Sequence, residues 1–214
     1  MENIKTTWVR KIFKILKWTF LVLICLFIVA CVWRGIYLSN KKKEQAKTDA
    51  EVEKIHNTKL TLADVMGTNL PPDPGALADQ TIAGVDANNN GIRDDVELAI
   101  FNAYPKSAKT RAVLLQLALA MEMENKQSFI NSEIVDAVLD KEDSAIFCSA
   151  DLIPGDGATE SRIFLTTNRY LRTLAKEQYN TDSRIQAEKK FISYSKSKTE
   201  LTPFCDIDLS TLSN

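Results

Sequence analysis

Histidine is almost missing from this 214-residue chain; His56 is the only one. Its scarcity removes Ser-His-Asp and Cys-His nucleophile arrangements, and every Cys/His zinc pattern, from the rest of the sequence. Glycine is sparse as well, with seven in all. None stands in a phosphate-cradling loop: Gly155-Asp156-Gly157 lacks the adjacent lysine and preceding strand that such a loop needs. Alternating apolar–polar runs of the strand type are also missing. Neither sign of charge dominates, with 27 Lys and Arg against 28 Asp and Glu. The balance is uneven, however. The first 38 residues hold six basic side chains and one acid, so the remainder carries six more acids than bases. An acidic remainder argues against nucleic acid as a partner, because that affinity rests on neutralising phosphates.

What the chain does have is one long uncharged stretch, from Trp18 to Trp33. Continued through Arg34 to Leu38 it reaches about 20 residues, the length that spans a bilayer as a helix. Trp18, Trp33 and Tyr37 stand where interfacial aromatics stand, and Arg34 is near enough to the end to snorkel. Residues 1–17 mix basic and apolar side chains, as a cytoplasmic juxtamembrane segment does. The expected anchor is therefore an uncleaved transmembrane helix over residues 18–38 of an inner membrane, with the C-terminal part periplasmic or extracellular. A second reading stays open. Ile28-Val29-Ala30-Cys31 is similar to a bacterial lipoprotein box, which would make Cys31 a lipidated terminus, although Val32-Trp33 and Ile36-Tyr37-Leu38 continue the apolar run past it. A basic leader and apolar core also describe a cleaved secretory signal peptide, and all three readings put the bulk of the chain outside the cytoplasm. There, Cys148 and Cys205 form an even pair in a compartment that permits disulfides, with two buried thiols as the alternative.

The richest stretch is Asp86-Ala87-Asn88-Asn89-Asn90-Gly91-Ile92-Arg93-Asp94-Asp95-Val96-Glu97. Oxygen-bearing side chains fall at loop positions 1, 3, 5, 9 and 12, with glycine at 6, the ligand order of an EF-hand calcium loop. Calcium takes about six to eight hard oxygen donors around one point. Asp86, Asn88, Asn90, the carbonyl of Ile92, Asp94 and Glu97 can supply them, the last with two oxygens. The loop resembles those of EF-hand-like and thrombospondin type 3 repeat proteins. The block 83–97 also resembles one in uncharacterised bacterial membrane or envelope proteins. The resemblance implies Ca2+ binding and nothing more. Two departures stand out. Arg93 occupies position 8, where an ordinary hand has an apolar residue facing a partner loop. Pro71, Pro72, Pro74 and Gly75 argue against a long entering helix. The competing explanation is a metal-free Asn-Gly turn followed by acids at a helix start.

The expected fold is all-α. A polar stalk and Pro-rich linker over residues 39–75 lead to a helical domain over 76–214 that holds the calcium loop at 86–97. Helices are expected from Asp94 to Tyr104, after a Ser107 cap to about Glu124, from Lys126 or Ser132 to Ala150, over 159–179, and from Asp182 to about Lys196. The inward positions are Val113, Leu114, Leu117, Ala118 and Met121, then Ile134, Val135, Val138, Leu139 and Ile146, then Ile163, Phe164, Thr167, Tyr170, Leu171 and Leu174, and last Ile185, Phe191 and Ile192. Two function classes follow. One is a membrane-anchored binding or scaffold module with a structural calcium site and a protein partner; Arg162, Arg169 and Arg172 offer one face to an acidic protein. The other is an envelope-acting hydrolase using Glu122, Glu124 or Asp136. A cleft with two buried carboxylates would favour the second, and an apolar groove the first.

Overall fold

The computed structural model describes residues 2–153, 159–196 and 205–213. Among them every regular element is helical, so the all-α reading holds. The chain divides into two compact units, residues 1–50 and 51–214.

The first unit is occupied by α1 (Glu2–Asn57). From Lys14 onward α1 is long and apolar enough to cross a membrane, and none of its most apolar window is buried. Large side chains including Trp18, Leu23, Phe27 and Trp33 are exposed. Such an unbroken apolar surface has no counterpart on soluble monomers, and a bilayer is the solvent that suits it. This helix can anchor the chain in a membrane. Cys25 and Cys31 are both free and exposed on it.

The second unit begins further upstream than the hydrophobic pattern suggests. Ile55, Leu60 and Val65 belong to its core. The short helix α2 (Leu62–Met66) opens with a reciprocal cap between Thr61 and Asp64 and closes on Gly67. Gly67 has φ +71°, and a Cβ there would lie 2.6 Å from the Phe101 ring, so both backbone and packing require glycine. A 3-10 turn at Gly75–Asp79 replaces the entering helix of an ordinary hand, as the prolines imply.

Helices α3 (Asp94–Ala103), α4 (Ala108–Lys126), α5 (Ser132–Cys148), α6 (Glu160–Gln178) and α7 (Asp182–Ile192) follow in order. Ser107, Asn131, Thr159 and Thr181 cap four of them, each accepting a hydrogen bond from a backbone N–H three residues on. The last helix stops at Ile192 rather than near Lys196. Ile192 is exposed and Phe191 alone fills the core there, since the final turn leaves the bundle. The α6 side chains of Ile163 and Phe164 lie outside the described residues. Pro154-Gly155-Asp156-Gly157 does too.

Helix α4 departs most from expectation. The sequence marks one inward stripe, yet nearly every residue from Ala108 to Glu124 is buried. It is the axis of the unit, packed by α2, α3, α5, α6 and α7. Burying all faces forces polar side chains inside, and each needs a partner. Arg111 donates to the carbonyls of Val65, Tyr104 and Pro105 at 2.9–3.0 Å and lies over the Phe101 ring at 4.8 Å. Lys141 on α5 is equally buried and donates to Thr58 O, just past the end of α1, at 2.6 Å. Interior cations thus end the helices and turns whose carbonyls have no partner of their own.

The tail is tied in covalently. Cys148 and Cys205 form a disulfide, with Cα atoms 5.6 Å apart. Next to it, Asp206 accepts from Leu60 N at 3.1 Å, and its own N–H donates to Gln116 at 3.0 Å.

Candidate metal centre

The loop at 86–97 is built by Asx turns and closed by the first turn of α3. Asp86 takes Asn90 N–H on Oδ1 at 3.1 Å and Gly91 N–H on Oδ2 at 3.0 Å. Asn90 Oδ1 takes Ile92 N–H at 2.9 Å. Gly91 has φ +92°, and a Cβ there would strike Leu119 of α4 at 2.6 Å. Only glycine lets the loop lie this close to the central helix. Glu97 is fully buried. Its Oε2 receives the side-chain amides of Asn88 and Asn90, both at 3.0 Å. So loop positions 3, 5 and 12 meet at one buried carboxyl, while position 1 folds the loop beside them.

The other two predicted ligands are placed as follows. Asp94 is turned back into the loop, where both its oxygens accept from Ala87 N–H at 3.0 and 3.2 Å. Ile92 buries its side chain in the core. Burial pushes the Glu97 carboxyl up to about 7, against the two amide hydrogen bonds that pull it down. Burial also raises Asp94, opposed by the Ala87 N–H.

The donor set consists of oxygens only, which suits a hard divalent cation and no soft metal. Among the described residues, no three His, Cys, Asp or Glu side chains stand close enough together to hold an ion. A cation here therefore needs the Asn side chains and the Ile92 carbonyl as well. Asn88 and Asn90 present nitrogen to Glu97, so each would have to turn its oxygen inward. With that rotation the residues fit calcium: Asp86, Asn88, Asn90, the Ile92 carbonyl and Glu97 would hold it, and Asp94 would act from behind.

Arg93 stands at loop position 8, where a paired calcium loop would carry an apolar residue. Its guanidinium is fully buried. It donates to Asp95 at 2.9 and 2.6 Å and to the carbonyls of Glu177 and Gln178, the last turn of α6, at 2.9 and 3.0 Å. A positive charge on a helix C-terminus is favourable. The loop thus docks on a helix end of its own chain instead of a second loop. A charged residue in an apolar slot was visible in the sequence; its partners, 84 and 85 residues away, were not.

The carboxylates considered for acid–base work do not assemble. Glu122 and Glu124 are both buried but two residues apart on α4, so they face different neighbours. Glu124 accepts from Tyr179 Oη at 2.8 Å, and Glu122 from Gln178 Nε2. Asp136 accepts from Lys196 N at 3.4 Å. The cleft between α3 and α6 has a volume of about 120 Å³ and a mainly apolar wall that includes Ile100, Tyr104, Leu114, Tyr170 and Leu174, with Glu177 its one carboxylate. Arg162, Arg169 and Arg172 are exposed on α6 and enter no ion pair among the described residues.

Glu122 nonetheless has a measurable consequence. Burial drives its carboxyl up to about 7 despite the Lys126 and Arg93 charges and the Asn125 and Gln178 contacts, which act the other way. Its Oε1 and the Oε1 of Gln178 are both buried without a hydrogen-bond partner. A protonated carboxyl can donate where a carboxylate cannot. The folded state holds a proton that the unfolded state releases near 4.5, so its stabilising effect is full below pH 4.5 and is lost as pH rises through 7. Glu122→Gln is expected to match wild type at pH 4.5 and to be more stable at pH 8 by about 3 kcal/mol. Urea titrations at both pH values, in chelator, measure this; an equal difference at the two would refute the assignment.

No family model, no curated protein and no solved structure matches this chain.

Proposed function

We propose that the protein is a membrane-anchored, extracytoplasmic binding or scaffold module whose calcium loop fastens the Pro-rich linker onto a helical core. The observation that carries the metal reading is the meeting of the Asn88 and Asn90 side chains at the buried Glu97 carboxyl, in a loop that Asp86 folds by accepting from Asn90 and Gly91 N–H. The extracytoplasmic reading rests on the apolar α1 and the Cys148–Cys205 bridge, since structural disulfides persist in oxidising compartments. It places α1 in the inner membrane and the helical unit in the periplasm or outside the cell. The apolar cleft between α3 and α6 favours binding over hydrolysis, as no carboxylate pair lines it.

A bound calcium ion would supply charge compensation for the buried Asp94 and Glu97 carboxyls and for the partly exposed Asp86. Three carboxylates and a single unpaired loop suit a dissociation constant of about micromolar to millimolar, appropriate to a calcium-rich compartment. Calcium at a hundredfold above that constant is expected to stabilise the unit by about 2.7 kcal/mol. Glu97→Gln keeps the shape and an acceptor for the two asparagine amides but removes the bidentate charge. The variant should melt close to wild type in chelator and lose the calcium-dependent rise. Absence of any rise in wild type at several millimolar calcium would show the acids to be turn and helix-start residues only.

A further inference from the structure

Lys126, the last residue of α4, reaches across to the metal loop. Its Nζ lies 2.9 Å from Asp86 Oδ2 and 3.1 Å from Gly91 O, with the side chain about one-third exposed. Each Asp86 oxygen already accepts one backbone N–H from the loop, so the ammonium takes a direction that remains on Oδ2. We infer that Lys126 is an intramolecular counter-cation that occupies Asp86 when the loop is metal-free and competes with calcium for it. This rests on the calcium reading above and adds its regulation.

The physical argument has three parts. First, Asp86 and Asp94 bring two carboxylates into a loop pressed against α4, and the Lys126 ammonium stands on the more open of them. Second, Lys126 supplies its charge from a fixed point, the end of the most buried helix in the unit. Third, lysine is the residue type that can let go. Its compact ammonium sits on a flexible stem, and the partly open position allows it to move into water. An arginine fork clamped on several carbonyls, as at Arg93, would not release so readily. The Lys126–Asp86 pair is partly exposed, so replacing it costs little and the competition is mild rather than blocking.

The experiment uses the full chain in detergent micelles, stripped with chelator and titrated with Ca2+ at fixed ionic strength by calorimetry, alongside metal-free melting. Lys126→Met should bind calcium about two- to fivefold more tightly than wild type. Its metal-free melting temperature should fall, while the calcium-saturated one should not. Lys126→Gln, which keeps a polar tip without charge, should tighten binding in the same direction even if the methionine variant folds poorly. Lys126→Arg should stay at or below wild-type affinity. Unchanged or weaker binding in the two uncharged variants, with wild type still binding, overturns the counter-cation and leaves the calcium site standing. No binding by wild type or any variant overturns both.

Discussion

Arg184→Ala is expected to destabilise the helical unit by about 4 kcal/mol, the cost of breaking a buried charged network from one side. Arg184 sits on α7 and is fully buried. Its guanidinium donates to the carbonyls of Ala78, Thr81 and Ile82, to the side chain of Asn180 and to the carboxylate of Asp79. The ion pair contributes the smaller share. Asp79 is half exposed, and a pair of that kind stabilises by roughly 1 kcal/mol or less, even though the contact holds its carboxyl below the usual range. The larger share is the carbonyls, chiefly those of Ala78 and Ile82, since Thr81 O also accepts from Gly84 N–H. Lysine cannot replace the fan of donors, so Arg184→Lys should recover less than half of the loss. Because this segment leads into the loop at 86–97, Arg184→Ala should also weaken the calcium binding proposed for it. Denaturant unfolding measures the first effect and calorimetry the second. A cost below about 1 kcal/mol would show the carbonyls to be solvated without it.

Reduction of Cys148–Cys205 is expected to cost about as much, by a different route. The bridge closes a separation of 57 residues. Loop entropy in the unfolded chain then corresponds to about 4 kcal/mol, a large part of the stability of a domain this size. There is a native-state component too. Cys205 holds Asp206 where it accepts Leu60 N–H and donates to Gln116, so the tail closes the start of the unit against α4. Cys148→Ser and Cys205→Ser should each lower the urea midpoint by the same amount as reductant does, and the double variant should lose no more than either alone. Alkylation of intact cells should find both thiols blocked. Two reactive thiols there would place the unit in a reducing compartment and remove the extracytoplasmic reading.

Much of the architecture was legible because it is local. Ser107, Asn131, Thr159 and Thr181 each stand one residue before a helix, and their caps require only the neighbouring turn. The prolines before the loop already ruled out an entering helix. The spacing of Asp86, Asn88, Asn90 and Glu97 carries its own geometry, since a tight turn and one helical turn fix where those side chains point. What was not legible follows one pattern. Helix α4 reads as amphipathic because Arg111, Gln116, Glu122 and Glu124 interrupt its apolar run. In the fold these residues are interior and meet partners from distant segments, although one oxygen of Glu122 is left without one.

The sequence by itself determined the membrane-length apolar helix, the all-helical class, the cysteine pair and the oxygen register of the loop. Each depends on composition or on residues within one or two turns. Only the tertiary structure decided which charges are buried and what they hold. Arg93 reaches carbonyls 84 and 85 residues away, Lys126 an aspartate 40 away, and Arg184 carbonyls 102 to 106 away. A lone basic residue looks the same in a sequence whether it is solvated or clamped on a helix end. The difference is a desolvation cost offset by hydrogen bonds, and those donors and acceptors meet only when the chain has folded.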